Sequence, residues 1–374
     1  MEAIRLLLAF ATVAILSWLG VSLVLRYSMR LGLVAEANER SSHRGVVPVG
    51  GGVGIVVVAM AAWALLGLSG HQLTGLHAET FMLGAGIIAV TGFLDDVGHL
   101  AVSLRMLVHV GVAIFFVNAY VCWNTIVMPV IGVIHLGAVG GPVTVLWIVG
   151  LINAYNFMDG LDGLLGGQAT AAGWGWVALG LLAGSSLFSA MGVIIAGSTA
   201  GFLVLNWHPA RIFMGDVGST FLGYTFAVLP VMAAPADPRL ALAGVLLVWP
   251  AVFDAGFTVL RRLREGESIF VGHRTFLFHR LVAAGWRHDG AALLYIVLPV
   301  VGAILACTWA TTDRGVHVAV AAVVCACCGA LWALVRSEEE YTRRRSWIGD
   351  EVSGVMQRAL WPAHEEADRM VEGE

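Results

Sequence analysis

Asn153, Asn156, Asp159 and Asp162 recur at every third position in the run Asn153-Ala154-Tyr155-Asn156-Phe157-Met158-Asp159-Gly160-Leu161-Asp162-Gly163, an island of amides and carboxylates in apolar surroundings. On a helix, residues three apart drift by about 60° per step, so consecutive members lie near one another. Gly160 and Gly163 are expected to break the helix there and let backbone and carboxylates approach a ligand closely. Asp216 stands in a second motif, Phe213-Met214-Gly215-Asp216-Val217-Gly218-Ser219, just ahead of an apolar stretch. Ser219 is expected to cap the helix that follows, whose first N–H groups would be available to an anion. A carboxylate beside a phosphate cradle suits Mg²⁺, which takes a few carboxylate oxygens together with substrate phosphates and water. Asp95 and Asp96 form an acidic pair, and His273, Arg274, His279 and Arg280 lie among Phe270, Phe276 and Phe278. That last segment can bind phosphate, lie on anionic lipid, or do both.

The elements that position these groups are membrane helices. The 374 residues are 59% hydrophobic and only 12% charged, where a soluble domain has roughly a quarter charged. An ionised Asp deep in a bilayer costs about 2.5–3.5 kcal/mol on insertion scales, so clustered acids here call for a function. The fold expected is an all-α polytopic membrane protein of about eleven spans (ten to eleven). The spans are placed near 4–25, 49–68, 79–95, 106–122, 143–158, 167–184, 187–205, 219–235, 239–260, 291–310 and 316–335. Asn124 to Pro142, rich in Gly and β-branched residues, reads as a β-hairpin or re-entrant loop on the outer side. Residues 1–336 are expected to form a single integral membrane domain that carries any catalysis, and 337–374 a cytoplasmic tail, amphipathic or disordered, without evident chemistry.

All 21 basic residues are Arg. With the N-terminus outside, loops and tail on the inner side collect 18 of them and the outer side only Arg5, Arg239 and Arg314, a strong positive-inside bias that also makes the C-terminus cytoplasmic. Asp95 and Asp96, the Asn153–Asp162 cluster, Asp216 and the His273–Arg280 segment then all fall on the Arg-rich face.

Other features carry no chemistry. Cys122, Cys307, Cys325, Cys327 and Cys328 lie in or at the ends of spans, without the second pair or His partners of a structural metal site. Gly50-Gly51-Gly52-Val53-Gly54 lacks a βαβ context and is assigned to close helix packing. An ion-coupled transporter would place acids near the midplane in two related halves. Here they gather at span ends on one side, with no internal repeat.

These motifs, in this order, resemble the polyprenyl-phosphate N-acetylhexosamine-1-phosphate transferases, glycosyltransferase family 4. The resemblance is carried by Ser41-Ser42-His43-Arg44 followed by Pro48 and Gly50-Gly51-Gly52; Asp95-Asp96; Asn153 to Gly163; Asn206-Trp207-His208-Pro209-Ala210-Arg211-Ile212-Phe213-Met214-Gly215-Asp216-Val217-Gly218-Ser219; and His273-Arg274. It implies transfer of a sugar 1-phosphate from a UDP-N-acetylhexosamine to a membrane polyprenyl (undecaprenyl) phosphate, with release of UMP and with Mg²⁺ or Mn²⁺ as cofactor. By the same resemblance Asp216 ligates the metal. Phe213 stacks on uracil, and Asn153, Asn156, Asp159 and Asn206 surround the nucleotide. Asp95 and Asp96 stand by the attacking lipid phosphate, with Asp95 the candidate base. Asp159, His273 and Arg274 join the catalytic set; Asp162, His279, Arg280, His43 and Arg44 join the substrate-binding set.

Departures from the family pattern are Phe276 where relatives commonly carry His, His279 where many O-antigen-type relatives carry Gln, and Val49 where a basic residue often precedes the glycines. The Ser-Ser-His and His-Arg patterns favour the O-antigen-initiating branch over the alternative, phospho-N-acetylmuramoyl-pentapeptide transferase of peptidoglycan synthesis. The implied location is the bacterial cytoplasmic (inner) membrane, with the active site facing the cytoplasm and lipid as neighbour. No nucleic-acid partner is expected, and a homodimer is compatible with the sequence.

Overall fold

The computed structural model describes residues 2–31, 34–35, 47–68, 76–267 and 275–371, with side chains described for 3–28, 47–67, 79–267 and 275–343. His43, Arg44, Phe270, His273 and Arg274 lie outside the described residues. In chain order the elements are α1 (Glu2–Leu31), β1 (Val34–Ala35), β2 (Val47–Pro48), α2 (Gly51–Leu68), α3 (Leu76–Gly98), α4 (Val102–Ala119), β3 (Thr125–Met128), β4 (Gly132–His135), α5 (Gly140–Met158), α6 (Leu164–Leu182), α7 (Ser186–Asn206), α8 (Asp216–Ala233), α9 (Arg239–Leu247), α10 (Trp249–Arg264), α11 (Leu277–Ala283), α12 (His288–Thr311) and α13 (Arg314–Val371). β1 pairs antiparallel with β2, and β3 with β4 in the register Thr125↔His135 to Met128↔Gly132. The hairpin expected between Asn124 and Pro142 is therefore present. The architecture is that of an all-α polytopic membrane protein.

Among the described residues, eight helices are long and apolar enough to cross a membrane, or nine if the bent pair α9–α10 is one span. The other two expected spans coincide with α2, a shorter apolar helix, and α6. The expected straight span 239–260 needs correction: its two halves meet at 76°. Pro250 sits in the first turn of α10, where its missing N–H costs nothing to the new helix but ends the old one. The last expected span, 316–335, is only the first part of α13, and the boundary placed at 336 falls inside that helix.

The helix α8 is the core. It is almost wholly buried and packs against α2, α3, α5 and α9, while α6 and α7 pair with each other and with α12 and α1 respectively. Lipid supplies little hydrophobic drive between helices, so close approach through small residues has to hold such contacts. A Cβ on Gly52 would lie 2.4 Å from the Gly218 backbone, and one on Gly92 would lie 2.5 Å from the Asp216 carbonyl oxygen. The glycines following Pro48 thus serve helix packing, as expected from their lack of a βαβ context.

The two ends of the bundle differ. One gathers the α3–α4, α5–α6 and α7–α8 connections with α11. At the other, Arg314 of α13 reaches the Val130 carbonyl in the β3–β4 turn, and Trp309 donates to the Arg239 carbonyl at 3.1 Å.

Candidate active site

α8 begins at Asp216, three residues before the expected cap. Gly215 is the residue preceding the helix, with a φ of +79° that favours glycine. Ser219 is therefore not the N-cap: it is buried one turn inside α8, where its hydroxyl accepts from Asn156 Nδ2 at 3.1 Å. The exposed backbone donors at the head of α8 are taken instead by a carboxylate from another helix. Asp96, near the end of α3, accepts from Asp216 N–H at 2.8 Å through Oδ1 and from Val217 N–H at 3.1 Å through Oδ2. Such charge-assisted capping fixes α3 and α8 in register.

Its neighbour Asp95 faces α4. Oδ1 accepts from Leu100 N–H at 2.6 Å, closing the turn between the two helices, and Oδ2 is paired with Arg105 Nη1. The same guanidinium nitrogen reaches Asp216 Oδ2 at 2.8 Å, and Asn156 Nδ2 donates to Asp216 Oδ1 at 2.8 Å. Three helices and the head of a fourth thus meet at one carboxylate. The polar cleft beside it is lined by Thr91, Arg105, His109, Asn153, Asn156 and Asp216, among others. Asn153 lies a turn deeper, donating to Val149 O at 2.7 Å with His109 Nδ1 at 3.5 Å.

The break in the Asn153–Gly163 run occurs where the glycines place it. α5 ends at Met158, Asp159 is its C-cap, and Gly163 opens α6 with φ +75°. Asn153 and Asn156 are thus helical, whereas Asp159 and Asp162 lie in the connection. Asp159 accepts from Gly215 N–H, and its pKa is raised from 3.8 to about 7, chiefly by desolvation and then by the charge of Asp96.

Asp162 turns from the cleft to the α7–α8 connection, where Oδ2 is 2.7 Å from His208 Nδ1 and accepts from Ala210 N–H at 3.1 Å. Asn206 is buried, its Oδ1 accepting from Gly163 N–H and its Nδ2 donating to Ile212 O, each at 2.9 Å. These two side chains bind the two connections to each other. Phe213 is held by its backbone, its N–H donating to Pro48 O at 2.8 Å and its carbonyl accepting from Gly51 N–H at 2.9 Å.

α11 brings His279 to the same region: a Cβ on Gly160 would meet His279 Nε2 at 2.8 Å. Arg280 points elsewhere, into a bidentate pair with Glu339 of α13, both contacts 2.7 Å. That pairing, with lesser help from nearby acids, raises the guanidinium pKa above its ordinary value. Sequence reasoning missed Arg105 and His109 as site residues. In the sequence Arg105 counts only as one of the 18 arginines on the inner side; its place one turn into the helix after Asp95-Asp96 is the available clue. Glu339 offered no signal in a tail that reads as mixed charge.

The donors fit a divalent cation in kind. Asp95, Asp96, Asp159 and Asp216 surround Gly215 and Arg105, and a site rich in carboxylates suits hard cations such as Mg²⁺. Among the described residues no three His, Cys, Asp or Glu side chains form a complete ligand group by themselves. Mg²⁺ does not require one, since substrate phosphates and waters usually fill its sphere.

Comparison with known proteins places the chain in a family. The model of glycosyl transferase family 4 matches residues 79–234, from α3 through α8, the segment that contains Asp95, Asp96, Arg105, Asn156, Asp159 and Asp216. A Bacillus subtilis protein named "Probable undecaprenyl-phosphate N-acetylglucosaminyl 1-phosphate transferase" is 32% identical over 302 residues, covering 79% of this chain and 82% of the relative. The decaprenyl-phosphate N-acetylglucosaminephosphotransferase of Mycolicibacterium smegmatis is 31% identical, covering 78% of each chain. The undecaprenyl-phosphate alpha-N-acetylglucosaminyl 1-phosphate transferase of Yersinia pestis is 27% identical, covering 75% and 77%. The chain belongs to glycosyl transferase family 4, the polyprenyl-phosphate N-acetylhexosamine-1-phosphate transferases.

Proposed function

We propose that this enzyme transfers N-acetylglucosamine 1-phosphate from UDP-N-acetylglucosamine to a polyprenyl phosphate such as undecaprenyl phosphate, releasing UMP, as the initiating step of a cell-surface polysaccharide. The observation that carries this reading is the head of α8, where Asp216 is held by Arg105 and Asn156 while Asp96 and Asp159 engage the adjoining backbone. The choice of donor and acceptor follows the names of the relatives.

In the reaction, an oxygen of the lipid phosphate attacks the β-phosphorus of the donor. The bond to the bridging oxygen breaks, and UMP leaves with that oxygen. Both reactants are anions, so positive charge and aligned donors have to offset their repulsion. Arg105 supplies a guanidinium beside the cleft, and its planar fork matches phosphate oxygens. Asp95 orients Arg105; the lipid phosphate, with a second pKa near 6, is largely ionised at neutral pH and needs no base. Asp96 keeps the head of α8 against α3. Asn153 and Asn156 offer amides along the cleft, Phe213 stacks on the uracil at its rim, and His279 contacts the donor from the Gly160 side. Asp216, with Asp95 or Asp159, would hold Mg²⁺ or Mn²⁺, which neutralises phosphoryl charge when bound. Asp162, Asn206 and Arg280 act by holding loops and helices in place. His273, Arg274, His43 and Arg44 complete the phosphate-binding set. The protein sits in the inner membrane with this end of the bundle toward the cytoplasm, where the nucleotide sugar is.

The test is UMP release by purified protein given undecaprenyl phosphate, Mg²⁺ and a panel of UDP-N-acetylhexosamines. UMP and a labelled lipid product with UDP-N-acetylglucosamine are expected, and no turnover with any donor would refute the assignment.

A further inference from the structure

Asp254 lies on α10 with no exposure, outside the cleft, and has no part in the reaction described above. Its carboxylate is fully engaged by donors. Oδ1 accepts from Leu277 N–H at 2.8 Å and from Thr258 Oγ1 at 3.3 Å, while Oδ2 accepts from Tyr295 Oη at 2.6 Å and from Phe278 N–H at 3.3 Å. The two backbone donors are the first residues of α11, and Tyr295 belongs to α12. A buried carboxylate is costly unless its oxygens are satisfied, and here one side chain gathers donors from its own helix and two others. A seven-residue helix has little stability of its own. Its place therefore depends on such anchors.

The face of α11 carried by this anchor meets the α5–α6 connection. Phe276, just before α11, lies tilted against Phe157 at the end of α5 with ring centroids 5.7 Å apart, Phe278 packs against His279 at 4.1 Å and edge-on to Tyr295 at 5.8 Å, and His279 closes on Gly160. Gly160 follows Asp159 directly. A shift of α11 would move the imidazole away from Gly160 and loosen the connection that presents Asp159.

We infer that Asp254 is a positioning residue for donor binding: with Tyr295 it clamps the start of α11 and thereby holds His279 against the Asp159–Gly160 turn. This rests on the reading of His279 as a substrate contact. Asp254→Asn replaces an acceptor oxygen by an NH₂ group that faces donors, so the clamp opens without a change of volume.

The experiment uses the full-length protein in detergent, with UMP release from UDP-N-acetylglucosamine and hydrogen exchange of the peptide covering Leu277 to Ala283. Asp254→Asn is expected to raise the donor KM about tenfold with a smaller change in kcat, and to speed exchange in that peptide. Tyr295→Phe, which removes one donor, is expected to do the same at about threefold, and decides the matter if Asp254→Asn fails to fold. His279→Ala should mask both: the double variants should be no worse than His279→Ala alone. An unchanged KM, unchanged exchange, or additive double variants in an active enzyme would overturn the clamp alone. A folded wild type that turns over no UDP-N-acetylhexosamine would remove the proposed function, and this inference with it.

Discussion

Arg105 joins Asp95 and Asp216 through one guanidinium nitrogen, so it sets both the charge and the shape of the cleft. Arg105→Ala is expected to lower kcat/KM by on the order of a hundredfold, because two carboxylates then face the substrate phosphates with nothing between them. Arg105→Lys should recover only a small part, since an ammonium lacks the planar fork. Steady-state UMP release by both variants checks this; near-wild-type activity of Arg105→Ala would exclude the role. Asp159 offers a second test. Its folded pKa is raised from 3.8 to about 7, so between those values the folded state binds more protons than the unfolded one. That contribution to stability is present at low pH, falls as pH rises from about 4 to about 7, and is level above. In metal-free protein, the Tm of wild type relative to Asp159→Asn should therefore decrease from pH 5 to pH 8. A constant difference would show that Asp159 is not held in this environment. At this scale the sequence singled out candidate residues and said little about their partners. Asn156, Asp159 and Asp216 stand out as polar groups in apolar sequence. The contacts of Arg105 with Asp216, of Asp162 with His208 and of Arg280 with Glu339 join distant segments, and no local pattern encodes them.

The helices were legible because a run of about 20 apolar residues has few other uses. The break between α5 and α6 was legible as well, through Gly160 and Gly163. The bend between α9 and α10 was not, because averaging over the window hides a turn whose halves are both apolar on one side; Trp249-Pro250 was the local sign. The start of α8 was misplaced by three residues, since a Ser looks like a cap and the true cap, Asp96, comes from α3. The contact between α3 and α8 can be tested by volume. Gly92→Ala puts a methyl group 2.5 Å from the Asp216 carbonyl oxygen, an overpacking that costs about 1–3 kcal/mol. Gly98→Ala, near the end of the same helix with nothing within 4 Å, is the control. The first is expected to lower both Tm and kcat, and the second to leave both near wild type. Equal behaviour of the two would mean that α3 and α8 do not meet at Gly92.

For the whole molecule, the Arg distribution and the helix packing each distinguish two unlike ends. The acids and Arg105 gather at one; the β3–β4 hairpin, Arg239 and Arg314 gather at the other. In the orientation proposed from the positive-inside rule, the first end faces the cytoplasm together with the C-terminal part of α13. A protease-sensitive tag at the C-terminus should be cut in inverted membrane vesicles and protected in right-side-out ones; the reverse pattern would place the site on the wrong side for a cytosolic nucleotide sugar. The central claim is that the head of α8 is a metal-assisted phosphoryl-transfer site, and Asp216→Asn tests it most directly. Replacing one carboxylate oxygen by an amide keeps volume and removes the charge at the point where Arg105 and Asn156 converge. UMP release from UDP-N-acetylglucosamine and undecaprenyl phosphate should depend on Mg²⁺ in the wild type and be lost in the variant, with Tm retained. Wild-type turnover by Asp216→Asn would contradict it.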